Sequence, residues 1–171
     1  MKGVLISIQK PHTDNIKALI KKIEVRKNKP TTPTPFPVFI YETKAKGGCG
    51  KVIGEFVCDR IDKVYQCNSG WVQEYGCISR KEFFDYLGIP YNSHFDDKGA
   101  FAWNITDLKI YDKPKELRDF KKQNFCYKAG DIDNLGCWEG GCVEQELGWC
   151  DGRCSVVEKA PQSWRYVEAK E

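Results

Sequence analysis

The sequence is poor in histidine, with two in 171 residues, His12 and His94. Neither sits beside a serine or cysteine pattern that signals a nucleophile triad. No apolar run approaches the ~20 residues that a membrane-spanning helix needs, so a membrane is not an expected partner. The opening MKGVLISIQKPH has two lysines, a five-residue apolar stretch and no small-residue cleavage site. That is not the pattern of a secretory leader, and a cytoplasmic location is expected. No repeat of solenoid length is visible. Global disorder is excluded too, because 41% of residues are hydrophobic and 13% aromatic, enough for a packed core.

Cysteine is plentiful, at nine residues, and the number is odd. Without a leader, free thiols or metal-bound thiolates fit a reducing compartment better than a disulfide framework does. The net charge of +3 is unevenly spread. Residues 1–60 carry twelve Lys/Arg against five Asp/Glu, and residues 61–171 carry fifteen against nineteen. A basic first third attracts phosphates, although a plain solvated lysine surface gives the same count. The length suits one domain of about 100–150 residues plus an insertion or tail.

Val4 to Ile8 reads as a strand that Pro11 ends. Ile16, Leu19, Ile20 and Ile23 follow the i, i+3, i+4, i+7 spacing of one helix face. That helix is expected to start at Thr13 or Asp14, which can cap its free N–H groups. Glu24 to Arg26 reads as a short extended segment. Residues 28–37 hold four prolines, which predicts a stiff extended loop. Val38 to Tyr41 and Val52 to Val57 read as strands joined into a hairpin by the glycine-rich KAKGGCGK. Residues 66–78 carry little signal. Ser79 and Glu82 form a capping box ahead of Phe83, Phe84 and Leu87, and Gly88 and Pro90 close that helix. Phe101 to Tyr111 reads as one long strand, and KELRDF after Pro114 as a short charged helix. Trp164 to Val167 reads as a last strand. The order is mainly strands, with one helix after the first and another mid-chain. It predicts an α+β, mainly β fold: a small, partly closed barrel with helices at its rim.

The segment Lys21-Lys22-Ile23-Glu24-Val25-Arg26 resembles the signature of the ASCH family, whose domains are PUA-like barrels. That signature runs Gly-x-Lys-x-x-Glu-x-Arg after the first helix. Lys21, Glu24 and Arg26 match it, and Leu19 stands at the glycine position, where it hinders a positive φ. Leu5 to Ile8, Phe39 to Thr43 and Gly54 to Phe56 resemble strands of the family. AWNITDLKIYDKPKEL and PQSWRYVE are similar to the later part of a bacterial and phage subgroup. The resemblance implies a barrel made of residues 1–122 and 160–171, with a Cys-rich insertion at 123–159. It also implies an RNA- or modified-nucleotide-binding cleft beside the first helix. Some relatives resemble nucleoside amidohydrolases and others ribonucleases, so the fold does not fix the reaction. The amidohydrolases resemble users of a threonine where this chain has Glu24, so that mechanism does not carry over.

Lys21 and Glu24 are neighbours on a helix face, and Glu24 and Arg26 share one side of an extended segment. Two cations beside one carboxylate keep it charged. Such a cluster suits a phosphate, a polarised carbonyl or a base amino group, and it equally suits an ion pair that pins the helix to the barrel. A hydrolase would use Glu24 and Lys21 as catalytic groups, with Arg26 beside them. Ser7, Lys10, Tyr41, Lys44 and Trp164 are further candidate ligand contacts. Trp164 is expected at a cleft edge and Trp103 in the core. His12 precedes the first helix and reads either as facing the cleft or as a surface residue. Cys137, Cys142, Cys150 and Cys154, with Cys126 as alternative, allow a structural zinc site, free thiols or disulfides. Cys58 reads as a small core residue. Three roles are expected of such a chain: an RNA or nucleotide binder, a hydrolase, or a phage-type modulator of another protein. The sequence leaves the oligomeric state open.

Overall fold

The structure, a computed structural model, describes residues 1–91, 98–122 and 156–169. Strand β1 is Lys2–Ile8, followed by helix α1, Lys10–Lys17. Strands β2, Ile23–Arg26, β3, Phe36–Glu42, β4, Lys51–Cys58, and β5, Ile61–Val64, come next. Helices α2, Ser69–Gly76, and α3, Arg80–Leu87, separate them from β6, Ala100–Asn104, and β7, Thr106–Lys115. Strand β8 is Phe120–Lys122 and β9 is Trp164–Ala169.

Two sheets form. One has the order β7-β4-β3-β1-β9-β8, with β1 parallel to β3 and antiparallel to β9. The other has the order β2-β6-β5 and is antiparallel. Strand β1 is almost wholly apolar because both of its faces are covered. Val4, Ile6 and Ile8 join Val38, Ile40, Phe56 and Trp103 in one core, while Leu5 joins Phe39, Phe120 and Val167 in another. Trp103 comes from the smaller sheet and is fully buried in the core of the larger. The two sheets thereby wrap one interior as a partly closed barrel.

Helices α2 and α3 cover the outside of the smaller sheet. Val72, Phe83, Phe84 and Leu87 pack on Ile23, Val25, Ala100 and Ala102. Side chains alternate along a strand. With Ile23 and Val25 turned to the helices, Glu24 and Arg26 are turned inward, toward the larger sheet.

Several elements differ from the sequence reading. Helix α1 starts at Lys10, with Pro11 in its first turn, where a missing N–H costs nothing. It ends at Lys17, so Leu19 and Ile20 stand exposed and Ile23 lies on a strand. The apolar spacing ran through a helix end that periodicity cannot see. At that end Ile20 N–H donates to Asn15 C=O, the closure that wants a left-handed residue at 19. Leu19 supplies it, at φ 59°. The stretch 101–111 is two strands in different sheets, broken at Ile105, with Asp107 at φ 47°. KELRDF is a short 3-10 turn that runs into β8, and Pro114 lies in edge strand β7, where no ladder N–H is needed. Strand β5 and helix α2 had no clear sequence signal. The capping box at Ser79 and Glu82 forms, and Cys58 is buried.

Leu19 is 60% exposed and has little packing to lose. Leu19→Gly is expected to raise stability by about 1 kcal/mol by relieving the left-handed backbone. Urea unfolding of the two proteins checks this; a lower midpoint for the glycine variant would contradict it.

Candidate functional site

The turn after α1 brings Lys21 under the end of α2. Lys22 N–H donates to Tyr75 C=O, and the Lys21 ammonium donates to Gly76 C=O. These are carbonyls that a helix end leaves without an internal partner, and a cation is favoured there. Lys21 Nζ also lies 3.3 Å from Glu24 Oε2. On the other side, Arg26 Nη2 lies 2.9 Å from Glu24 Oε1 and donates to Ser7 C=O on β1. All three side chains are nearly buried: 2% exposed for Lys21, 9% for Glu24 and 11% for Arg26. One carboxylate is thus clamped between two cations, each also fastened to a different element.

These residues line a cavity of about 700 Å³. Ser7 and Tyr41, opposite one another in the β1–β3 register, line it too. So do Gln9 and Thr43, the next residues along the same strand faces. Along that face the apolar Leu5 and Phe39 give way to polar side chains, and the hollow opens there. His12, Lys44, Glu82, Tyr86, Pro161 and Gln162 complete much of the wall. Lys44, Glu82 and Gln162 are exposed and mark its mouth.

Of the candidates named from the sequence, Lys21, Glu24, Arg26, Ser7, Tyr41 and Lys44 come together here. Lys10 does not line the cavity; it is exposed and sits 3.1 Å from Asp14 Oδ1. Trp164 does not either. Its ring centroid lies 6.0 Å from that of Trp103 and 5.4 Å from that of Tyr166, so it packs as part of the core edge. His12 is half-buried and faces the cleft. Gln9, Thr43, Glu82 and Tyr86 were missed. Period-2 alternation through Ser7 and Tyr41 would have found the first two. The five cysteines proposed as zinc ligands, Cys126 to Cys154, and most of the 123–159 insertion lie outside the described residues. Among the described residues no group of three or more His, Cys, Asp or Glu side chains is placed to hold a metal ion.

Burial pushes the Glu24 carboxyl up, but the Lys21 and Arg26 charges outweigh it and hold it below the ordinary carboxylate value. Burial and the nearby Lys21 lower the His12 imidazole, which is therefore neutral at pH 7. The Ser79 hydroxyl and N–H lower the Glu82 carboxyl at the mouth.

A second buried carboxylate, Glu42, was also missed. It accepts hydrogen bonds from the Thr13 hydroxyl, from Lys17 Nζ at 3.1 Å and from Cys49 N–H at 3.0 Å. It thereby joins α1, which carries His12, to the turn that carries Thr43 and Lys44. Gly48 belongs to that turn, and a Cβ there would collide with the Thr43 carbonyl oxygen.

No protein-family model and no curated protein matches the chain. Solved structures do. The ASCH protein of Zymomonas mobilis superposes with a TM-score of 0.60 at 17% identity, covering 97% of this chain and 87% of that one. Its serine-to-alanine variant gives 0.59 at 17% identity, over 97% and 88% of the two chains. Its tyrosine-to-phenylalanine variant gives 0.58 at 16% identity, over 98% and 91%. The chain has the ASCH-domain fold. In this ASCH fold the clamp follows the first helix and lies on the first strand of the smaller sheet. Among the described residues no helix is long and apolar enough to cross a membrane.

Glu42 gives a pH test. Burial raises its carboxyl, but the hydroxyl, amide and ammonium donors bring it from 4.5 down to about 2. A carboxyl depressed in the folded state stabilises the fold above its unfolded value and loses that contribution as pH falls toward the folded value. The loss is expected between about pH 4.5 and about pH 2 and amounts to roughly 3 kcal/mol. Glu42→Gln is expected to flatten that part of the profile, read by urea unfolding at about pH 3 and pH 5. Equal acid losses in both proteins would contradict the assignment.

Proposed function

We propose that the protein binds RNA or a nucleotide-like ligand in the cavity bordered by Lys21, Glu24 and Arg26, with Ser7, Tyr41 and Lys44 as further contacts. The observation that carries this reading is the cavity: about 700 Å³, open at Lys44, and walled by charged, polar and aromatic groups together. A nucleotide needs all three kinds of surface. Tyr41 and Tyr86 bring aromatic side chains to the wall, and stacking on such a ring is worth ~1–3 kcal/mol per base. Lys44 at the mouth and Lys46 in the same turn supply exposed positive charge for a backbone. The ASCH fold and the matching Lys21, Glu24 and Arg26 agree with this reading.

No observation favours the hydrolytic alternative. A carboxylate clamped by two cations is a weak base, so Glu24 is poorly suited to activating water. Its better role is to orient Arg26 and to neutralise the inner wall. Nothing in the described residues favours a phage-type modulator either.

Fluorescence anisotropy with a short single-stranded RNA tests the proposal. Binding is expected to weaken as salt rises, and Lys44→Ala to remove about 0.7 from the slope of log K against log salt. Absence of binding at low salt, or binding indifferent to salt, would contradict it. Arg26→Ala is expected to weaken binding about tenfold or more, with circular dichroism confirming that the fold survives.

A further inference from the structure

Four residues that line the cavity are exposed: Gln9, Lys44, Glu82 and Gln162. They differ in what they offer a ligand. Lys44 only donates hydrogen bonds, the two glutamines donate or accept, and an ionised Glu82 only accepts. Glu82 lies on α3, whose Phe83, Phe84 and Leu87 pack on the smaller sheet, while Glu82 and Tyr86, one turn apart, line the cavity. Among the described residues, Glu82 is also the one of the four whose side chain is held by hydrogen bonds of its own. Its Oε2 accepts from Ser79 N–H at 2.8 Å and from the Ser79 hydroxyl at 2.7 Å, and its N–H donates back to that hydroxyl oxygen at 3.2 Å.

The capping box thus fixes the carboxylate and occupies one of its oxygens. No described residue donates to the other, Oε1. The Ser79 groups, and after them the charge of Lys46 in the turn after β3, favour the ionised form. Capping explains Oε2 alone, and a glutamine serves that purpose as well. It leaves a rigid, negatively charged acceptor at the rim of a cavity. Such a group repels a phosphate and gives nothing to an acceptor. Its match is a neutral donor, above all a hydroxyl. A nucleotide that enters the cavity and keeps its phosphate beside Lys44 and Lys46 brings its sugar to this rim.

We propose that Glu82 Oε1 accepts a hydrogen bond from the 2′-hydroxyl of a ribose at the cavity mouth, and that Glu82 is the residue by which the protein distinguishes RNA from DNA. The 2′-hydroxyl is the group that separates the two at a given site. Deoxyribose presents only C–H there, and a 2′-O-methyl ether has no proton to give. The inference rests on the nucleotide-binding reading and narrows its ligand to a ribose-bearing one. It also gives Glu82 a role outside the charged signature at Lys21, Glu24 and Arg26.

Fluorescence anisotropy on the full chain tests this with a short single-stranded RNA, the DNA of the same sequence with uracil retained, and the 2′-O-methyl RNA. The RNA is expected to bind about fivefold more tightly than either of the others, the loss of one hydrogen bond. Glu82→Gln keeps a carbonyl for the Ser79 groups and places an amide N–H₂ where Oε1 was. That donor serves a hydroxyl and a methoxy oxygen alike, so the preference over 2′-O-methyl RNA is expected to vanish. A preference set by the bulk of the methyl group would survive in Glu82→Gln, and its survival would overturn the assignment to Glu82. Equal binding of all three strands by the unaltered protein would overturn the inference and leave the nucleotide-binding reading standing. Failure of all three to bind would overturn both readings. The comparison of strands on the unaltered protein needs no variant, so a misfolded Glu82→Gln protein does not remove the test.

Discussion

The buried carboxylate of Glu24, clamped between Lys21 and Arg26, is the interaction on which the rest of the site depends. Burying one charge is costly, and burying three is tolerable only when every one is paired and hydrogen-bonded. Here each cation has a second partner on another element. Lys21 closes the end of α2, and Arg26 reaches the backbone of β1 in the other sheet. The clamp therefore connects the smaller sheet, the larger sheet and a helix through one group. Its geometry is fixed by strand alternation, because Ile23 and Val25 commit the other face of β2 to the helices.

A consequence is that the charges nearest the inner cavity are spent on the fold. A reading from charge alone would place a phosphate against Lys21 and Arg26. The geometry instead makes those cations part of the wall, each already engaged by Glu24 and by a backbone carbonyl. Glu42 works in a similar way on the far side. It fastens α1 to the turn after β3 and so sets the separation of His12 from Thr43 and Lys44. Two buried carboxylates thus brace the cavity, Glu24 through its sequence neighbours Lys21 and Arg26, which reach Gly76 and Ser7, and Glu42 through Thr13, Lys17 and Cys49.

The sequence disclosed some of this and concealed the rest for physical reasons. The strands around Leu5, Phe39 and Phe56 were legible because β-branched and aromatic runs mark strands buried on both faces. Helix α3 was legible because a capping box and Gly88 are local signals. The end of α1 was hidden, since apolar residues at 16, 19, 20 and 23 mimic a continuing helix and only a leucine marks the left-handed exit. The division of residues 101–111 between two sheets was hidden because it is settled by pairing partners, not by composition. Lys21, Glu24 and Arg26 were legible through their resemblance to the ASCH signature, since their charge and spacing equally suit a structural ion pair. Glu82 and Tyr86 were not, because each becomes a cavity residue only through contacts made by distant segments. Trp164 looked like a cleft residue from its polar approach, yet the Trp103 ring draws it into the core edge.

The most direct measurement is the acid titration of the Glu24 carboxyl by carbon NMR, with its signal assigned by loss in Glu24→Gln. Burial and the two cations pull this group in opposite directions, so the sign of the shift reports which one governs the site. A value below that of an ordinary glutamate is what a closed clamp gives. A value at or above it would mean that the cations are not engaged, and the wall described here would not exist.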